Sequence, residues 1–130
     1  MSFYSNEVAR LTRSLYPHDD LTKQIIQSKL YIDKHFSENI NLGNIAGKAM
    51  VSKFHFIRVF KKYYGRTPNQ YLQEVRIDKA KKLLQKRKTI DEACYAIGFT
   101  SKTSFISLFR KMTGKTPLAY QNKKAILNSV

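Results

Sequence analysis

A single cysteine, Cys94, stands in 130 residues. That excludes an internal disulfide framework and leaves no cysteine-based metal site. Long apolar runs are missing as well: none approaches the ~18 residues that a spanning helix needs, and no charged-then-apolar leader opens the chain. A protein of the reducing cytosol is the expectation. No β-hairpin turn signal stands out. There are no paired carboxylates, no nucleophile–base set and no glycine-rich phosphate loop, so the chain is not expected to be an enzyme. His18, His35 and His55 lie far apart without ligand spacing, so neither a metal nor a cofactor is expected.

Acid is the scarcest charged class, 9 Asp+Glu against 24 Lys+Arg, a net charge of +15. Residues 1–50 carry 6 basic and 5 acidic residues, whereas 51–130 carry 18 and 4, a net of +14 in the second stretch. Such an imbalance points to a polyanion, either nucleic acid or an anionic membrane. With 42% hydrophobic and 12% aromatic residues, a packed core is within reach. The length suits one compact domain or two very small ones.

An internal repeat sets the organisation. Ser52-Lys53, Phe56, Val59-Phe60-Lys61-Lys62, Gly65-Arg66-Thr67-Pro68 and Tyr71 recur 49 positions later. The second copy reads Ser101-Lys102, Phe105, Leu108-Phe109-Arg110-Lys111, Gly114-Lys115-Thr116-Pro117 and Tyr120. Upstream, Leu42, Ile45 and Ala46 match Ile90, Ala93 and Cys94 at an offset of 48. Each copy reads as a short helix, a turn and a longer helix.

In the first copy Leu42, Ile45, Ala46 and Ala49 have helical spacing, and Ser52 is the N-cap candidate of the next helix. There Phe56, Val59, Phe60 and Tyr63 form an expected buried stripe. Gly65 supplies the stop, and Thr67-Pro68 an N-cap and N1 proline. The second copy opens on the capping box Thr89-Ile90-Asp91-Glu92, ahead of Ile90, Ala93, Cys94 and Ile97. Gly98 suits its turn, Ser101 its cap, and Phe105, Leu108, Phe109 and Met112 its buried stripe. Residues 68–85, with Leu72, Val75, Ile77, Ala80, Leu83 and Leu84, make a linking helix of roughly 27 Å. Ile25, Ile26, Leu30, Ile32 and Phe36 suggest a further helix near 22–36.

The fold class is therefore all-α, about seven helices in two helix-turn-helix subdomains joined by a long linking helix. The expected division is an N-terminal arm (1–20), a first subdomain (21–66, motif about 42–63), the linking helix (67–86), a second subdomain (87–124, motif about 90–112) and a tail (125–130). On the linking helix Arg76 is expected to be structural, in an ion pair with Asp78 or at a domain interface. The run Lys79, Lys81, Lys82, Lys86, Arg87, Lys88 reads equally as a solvated helix end or as an extra phosphate contact. Cys94 reads as core.

Opposite the first stripe lie Lys53, Phe54, Ile57, Arg58, Lys61 and Lys62; opposite the second, Lys102, Thr103, Ile106, Ser107, Arg110 and Lys111. Neither face contains an acid, which fits a phosphate backbone. Phe54 and Ile57 are unusual on a solvent face but suit thymine methyl groups. A hydrophobic contact with the N-terminal arm or a partner protein is the alternative use of that face. His55 neighbours it, within reach of phosphate.

The pattern Ser-x-x-x-Phe-x-x-Val-Phe-Lys-Lys-x-x-Gly-x-Thr-Pro, with Ile-Gly-Phe-Thr-Ser-x-x-x-Phe in the second copy, resembles the DNA-binding unit of AraC/XylS transcription regulators. The likeness covers residues 24–122. It implies two helix-turn-helix units reading neighbouring major-groove segments on one face of the duplex. Many members carry an effector-binding domain; this chain resembles the short stand-alone type. By position, Phe54, Ile57 and Arg58 fall where the family reads bases with its first unit, and Lys102, Thr103 and Ser107 at the matching places of the second. Ile106 shares the latter face. Met50 stands where the family usually has glycine, which puts the left-handed conformation of that turn in question. Ser107 stands where some members have a longer side chain, so weaker specific contacts are expected from the second unit.

The expected function is sequence-specific regulation of transcription on double-stranded DNA, bound by a monomer in the bacterial cytoplasm at the nucleoid. RNA polymerase is a second candidate partner. Base readout falls to Phe54, Ile57, Arg58, Lys102, Thr103, Ile106 and Ser107. Phosphate contact falls to Ser52, Lys53, Lys61, Lys62, Arg66, Ser101, Arg110, Lys111 and Lys115. The competing reading is an architectural or RNA-binding protein without sequence choice, which lacks the ~10³-fold site preference of a regulator. A membrane surface is a poor fit, because no broad apolar stripe flanks the basic faces.

Overall fold

The computed structural model of the chain describes residues 18–48 and 50–128. The arm over 1–17, Ala49 and the last two residues of the tail lie outside that range. Among the described residues seven helices follow in order: α1 (His18–His35), α2 (Leu42–Lys48), α3 (Lys53–Tyr64), α4 (Pro68–Gln85), α5 (Ile90–Ala96), α6 (Lys102–Thr113) and α7 (Pro117–Asn128). There is no strand among the described residues. The all-α expectation holds, with α1 starting four residues before the expected 22.

The described residues fold as two compact units, one drawn from 18–32 and 41–68, the other from 33–40 and 69–128. Segment 33–40, sequentially inside the expected first subdomain, groups with the second unit. In the first unit Ile25, Ile32, Phe56, Phe60 and Pro68 are fully buried, beside Leu21 and Ala46. The stripe of α1 is thus Leu21, Ile25, Ser28 and Ile32, a spacing of 4, 3, 4. Ser28 is accepted there because its hydroxyl donates to Ile25 O at 2.7 Å. Ile26 and Leu30, expected in the stripe, are exposed; they lie about a quarter-turn or more off it.

The second core joins Ile77, Ala80 and Leu84 of α4, Ala93, Cys94 and Ile97 around α5, and Phe105 and Phe109 of α6, with Phe36, Phe99 and Tyr120 packed against them. Burial pushes the Cys94 thiol up, Asp91 adds to the rise, and Lys102 opposes it. That makes it an inert core thiol.

Both short helices end in one motif. Val51 N donates to Ala46 O and Met50 N to Gly47 O; Phe99 N donates to Cys94 O and Gly98 N to Tyr95 O. This pair of hydrogen bonds needs a left-handed residue just past the C-cap, two positions beyond the last helical residue. Gly98 takes it at φ 94°, and Met50 takes it at φ 57°. Met50 therefore adopts the conformation despite its side chain, which stands 91% exposed in open solvent. The same motif closes α4 through Arg87 at φ 62°, with Lys88 N to Leu83 O and Arg87 N to Leu84 O.

A side chain at Met50 costs backbone strain and gains no packing. Met50→Gly is expected to raise stability by about 1 kcal/mol, after allowing for the greater freedom of glycine in the unfolded chain. A thermal midpoint that stays level or falls would contradict this account of the turn.

Candidate nucleic-acid interface

The long helices α3 and α6 are built alike. Ser52 Oγ accepts from His55 N at 3.1 Å, and Ser101 Oγ from Ser104 N at 3.2 Å, so each helix begins on a serine cap. Each ends on a left-handed glycine, Gly65 at φ 74° and Gly114 at φ 81°. Thr89 Oγ1 accepts from Glu92 N at 3.1 Å at the start of α5.

Inward, Phe56 and Phe60 bury completely, as do Phe105 and Phe109. Phe60 meets Tyr64 with ring centroids 4.8 Å apart, and Phe109 meets Tyr120 at 5.4 Å. The last members of the expected stripes do not bury: Tyr63 is 47% and Met112 40% exposed. Tyr63 keeps its phenol at the surface, 3.0 Å from Thr22 Oγ1. Tyr64 supplies the apolar ring against Phe60 instead.

Outward, Lys53, Phe54, Arg58, Lys61 and Lys62 of α3 are exposed, with Phe54 at 76%. Lys102, Thr103, Ser107, Arg110 and Lys111 are exposed on α6. Ile57 and Ile106, one repeat apart, are half-buried, and Ile106 packs against its unit's core. Both sit about 100° round the helix from the buried phenylalanine before them, so they flank the outward face rather than centre it. Thr103, Ile106, Ser107, Arg110, Lys111 and Thr116 line a shallow open groove. Arg66 is exposed, while Lys115 is half-buried and its backbone N–H donates to Thr113 Oγ1 at 3.2 Å.

Two features escape the sequence reading. The acid-free face of α6 receives an acid from the preceding helix, α5: Lys102 Nζ lies 3.0 Å from Asp91 Oδ1. Comparing the two copies would have pointed to it, since the residue at the place of Asp91 in the first copy is Gly43. Arg76 does not pair with Asp78, whose carboxylate lies 3.9 Å from Lys81 Nζ. Two residues apart on a helix, 76 and 78 point to different sides. Instead Arg76 Nε donates to Phe36 O at 2.7 Å and Nη2 to Glu38 O at 3.0 Å, with the guanidinium over the Phe99 ring.

Two further ion pairs among the described residues are local. His35 Nδ1 contacts Glu38 Oε2, and Lys88 Nζ lies 4.0 Å from Glu92. No group of three or more His, Cys, Asp or Glu among the described residues could hold a metal ion. No described helix is long and apolar enough to cross a membrane.

Residues 45–123 match a family model described as a helix-turn-helix domain. Over 73 residues, 56% of the chain, it is 34% identical to the uncharacterized HTH-type transcriptional regulator YbfI of Bacillus subtilis. The chain spans about a quarter of that relative's length, 26%. Among solved structures it is similar to an AraC-type transcriptional regulator from Chromobacterium violaceum, with a TM-score of 0.69 at 28% identity, covering 80% of this chain and 94% of that one. It is also similar to the DNA-binding domain of AdpA, a global transcriptional factor solved in complex with a target DNA. That match has a TM-score of 0.70 at 27% identity and covers 76% of this chain and 90% of that one.

Proposed function

The chain belongs to the AraC/XylS-type helix-turn-helix family, and on that basis we propose that it is a sequence-specific double-stranded-DNA-binding regulator of transcription. The observation that supports it best is the pair of serine-capped helices, α3 and α6, whose outward faces carry cations and exposed Phe54 and themselves hold no acid. Arg58 matches the two acceptors of a guanine edge, and Phe54 suits a thymine methyl. Ile57, Lys102, Thr103 and Ser107 complete the reading set, with Ile106 at its edge. Lys53, Lys61, Lys62, Arg66, Arg110, Lys111 and Lys115 meet phosphates and set the register, together with Ser52 and Ser101 at the helix starts. The chain acts as a monomer on two major-groove segments in the bacterial cytoplasm, catalyses no reaction, and can meet RNA polymerase while on DNA.

Binding-site selection on purified protein gives the duplex for the test. Arg58→Ala is expected to weaken that site by about 1–3 kcal/mol and random duplex far less. Lys62→Ala should weaken both alike and flatten the dependence of log K on log salt by about one unit. Arg58 is exposed, so its loss should leave the thermal midpoint in place. Equal loss on both duplexes with Arg58→Ala would show that the reading face is misassigned. Absence of any selected site would favour the architectural alternative.

A further inference from the structure

The two repeats differ at one place beside their reading helices. Lys53 and Lys102 hold the same repeat position, yet the short helix before Lys53 presents Gly43 where the one before Lys102 presents Asp91. Asp91 Oδ1 sits 3.0 Å from Lys102 Nζ, with both side chains more than half exposed. None of the ion pairs found among the described residues involves Lys53. An exposed pair of this kind adds little to stability, so folding gives Asp91 one modest reason, its place in the first turn of α5. Its position gives another, because the carboxylate touches the first residue of α6 on the face that carries Thr103 and Ser107.

An ammonium has three donors, and one pointed at Asp91 leaves two. A guanine edge offers two neutral acceptors, O6 and N7, and can share the ammonium with a carboxylate without repulsion. A phosphate is charged: it must compete with Asp91 for the ammonium and is repelled by it.

We propose that Asp91 is a specificity-determining residue, which tethers Lys102 so that the lysine reads a base edge and is withheld from random backbone phosphate. This rests on the DNA reading of α6 proposed above. It makes the second unit selective by penalising the wrong contact, where the first unit relies on Phe54 and Arg58. Asp91 acts through Lys102 and is a positioning residue.

The test uses the full chain and its selected duplex beside a random one, each titrated across a range of salt. Asp91→Asn is expected to tighten random-duplex binding about threefold or more and to steepen its salt slope by about one unit. The selected site should gain less, so the ratio between the two falls. In a Lys102→Met background the same substitution should change neither slope nor ratio. Circular dichroism confirms that the variants are folded. An unchanged ratio and slope with Asp91→Asn would overturn the proposal, as would an equal effect in the Lys102→Met background, which would mark a general charge effect. If the unsubstituted protein itself prefers no site, the DNA reading fails first and this inference with it.

Discussion

Gly98→Ala should unfold the second unit or come close to it. A Cβ at this position would lie 2.7 Å from Ser37 O, 2.9 Å from Ser37 C and 3.1 Å from Ser37 Cα. All three are backbone atoms, so no side chain can swing aside. The φ of 94° adds conformational strain for any L residue. Clash and strain together should cost at least about 3 kcal/mol, a large part of what holds a unit of this size. The thermal midpoint should fall by about 12 °C or more. Gly65→Ala and Gly114→Ala are the controls. They share the left-handed backbone, but an added Cβ meets nothing within 4 Å, so each should cost only about 1 kcal/mol. Equal effects at all three glycines would show that the close approach to Ser37 does not matter.

Arg76→Met should be the next most damaging change. It keeps the apolar stem and removes the guanidinium, which caps the carbonyls of Phe36 and Glu38 just past the end of α1 and covers Phe99. Burial lowers the pKa of Arg76, but a guanidinium stays charged, so both bonds are charge-assisted. Losing two such bonds, with Phe36 O left short of a donor, should cost about 2–4 kcal/mol. Arg76→Lys should recover only part of this, since one ammonium does not reproduce the planar fork or its packing on the ring. Denaturant unfolding of both variants checks it. A shift below ~1 kcal/mol for Arg76→Met would mean that water replaces the guanidinium without loss. Asp78→Ala, by contrast, should be nearly silent, because its ion pair with Lys81 is a long, exposed contact.

The parts legible in the sequence are those governed by local rules. Ser52, Ser101 and Thr89 cap helices because a side-chain oxygen reaches the amide three residues on. Gly65 and Gly114 stop helices because the αL turn suits a residue without Cβ. Phe56, Phe60, Phe105 and Phe109 bury because a four-residue step keeps them on one side. Duplication of the whole unit reinforced each of these signals, and the outward faces followed from the buried ones.

Other features depend on residues distant in the chain. Tyr63 and Met112 have the spacing of their stripes but stand where neighbouring helices do not cover them. Ile26 and Leu30 are as apolar as Ile25 but lie on another side of α1, and which side is buried was set by the packing partner. The partners of Arg76, the acid beside Lys102 and the backbone of Ser37 against Gly98 come from segments 11 to 61 positions away. Helical period and capping chemistry act over one or two turns, so the sequence by itself determined the helices, their ends and the repeat. Which polar group each exposed cation meets, and which glycine leaves no room for a methyl, was decided by how the helices pack, because those contacts exist only once distant segments have been brought together.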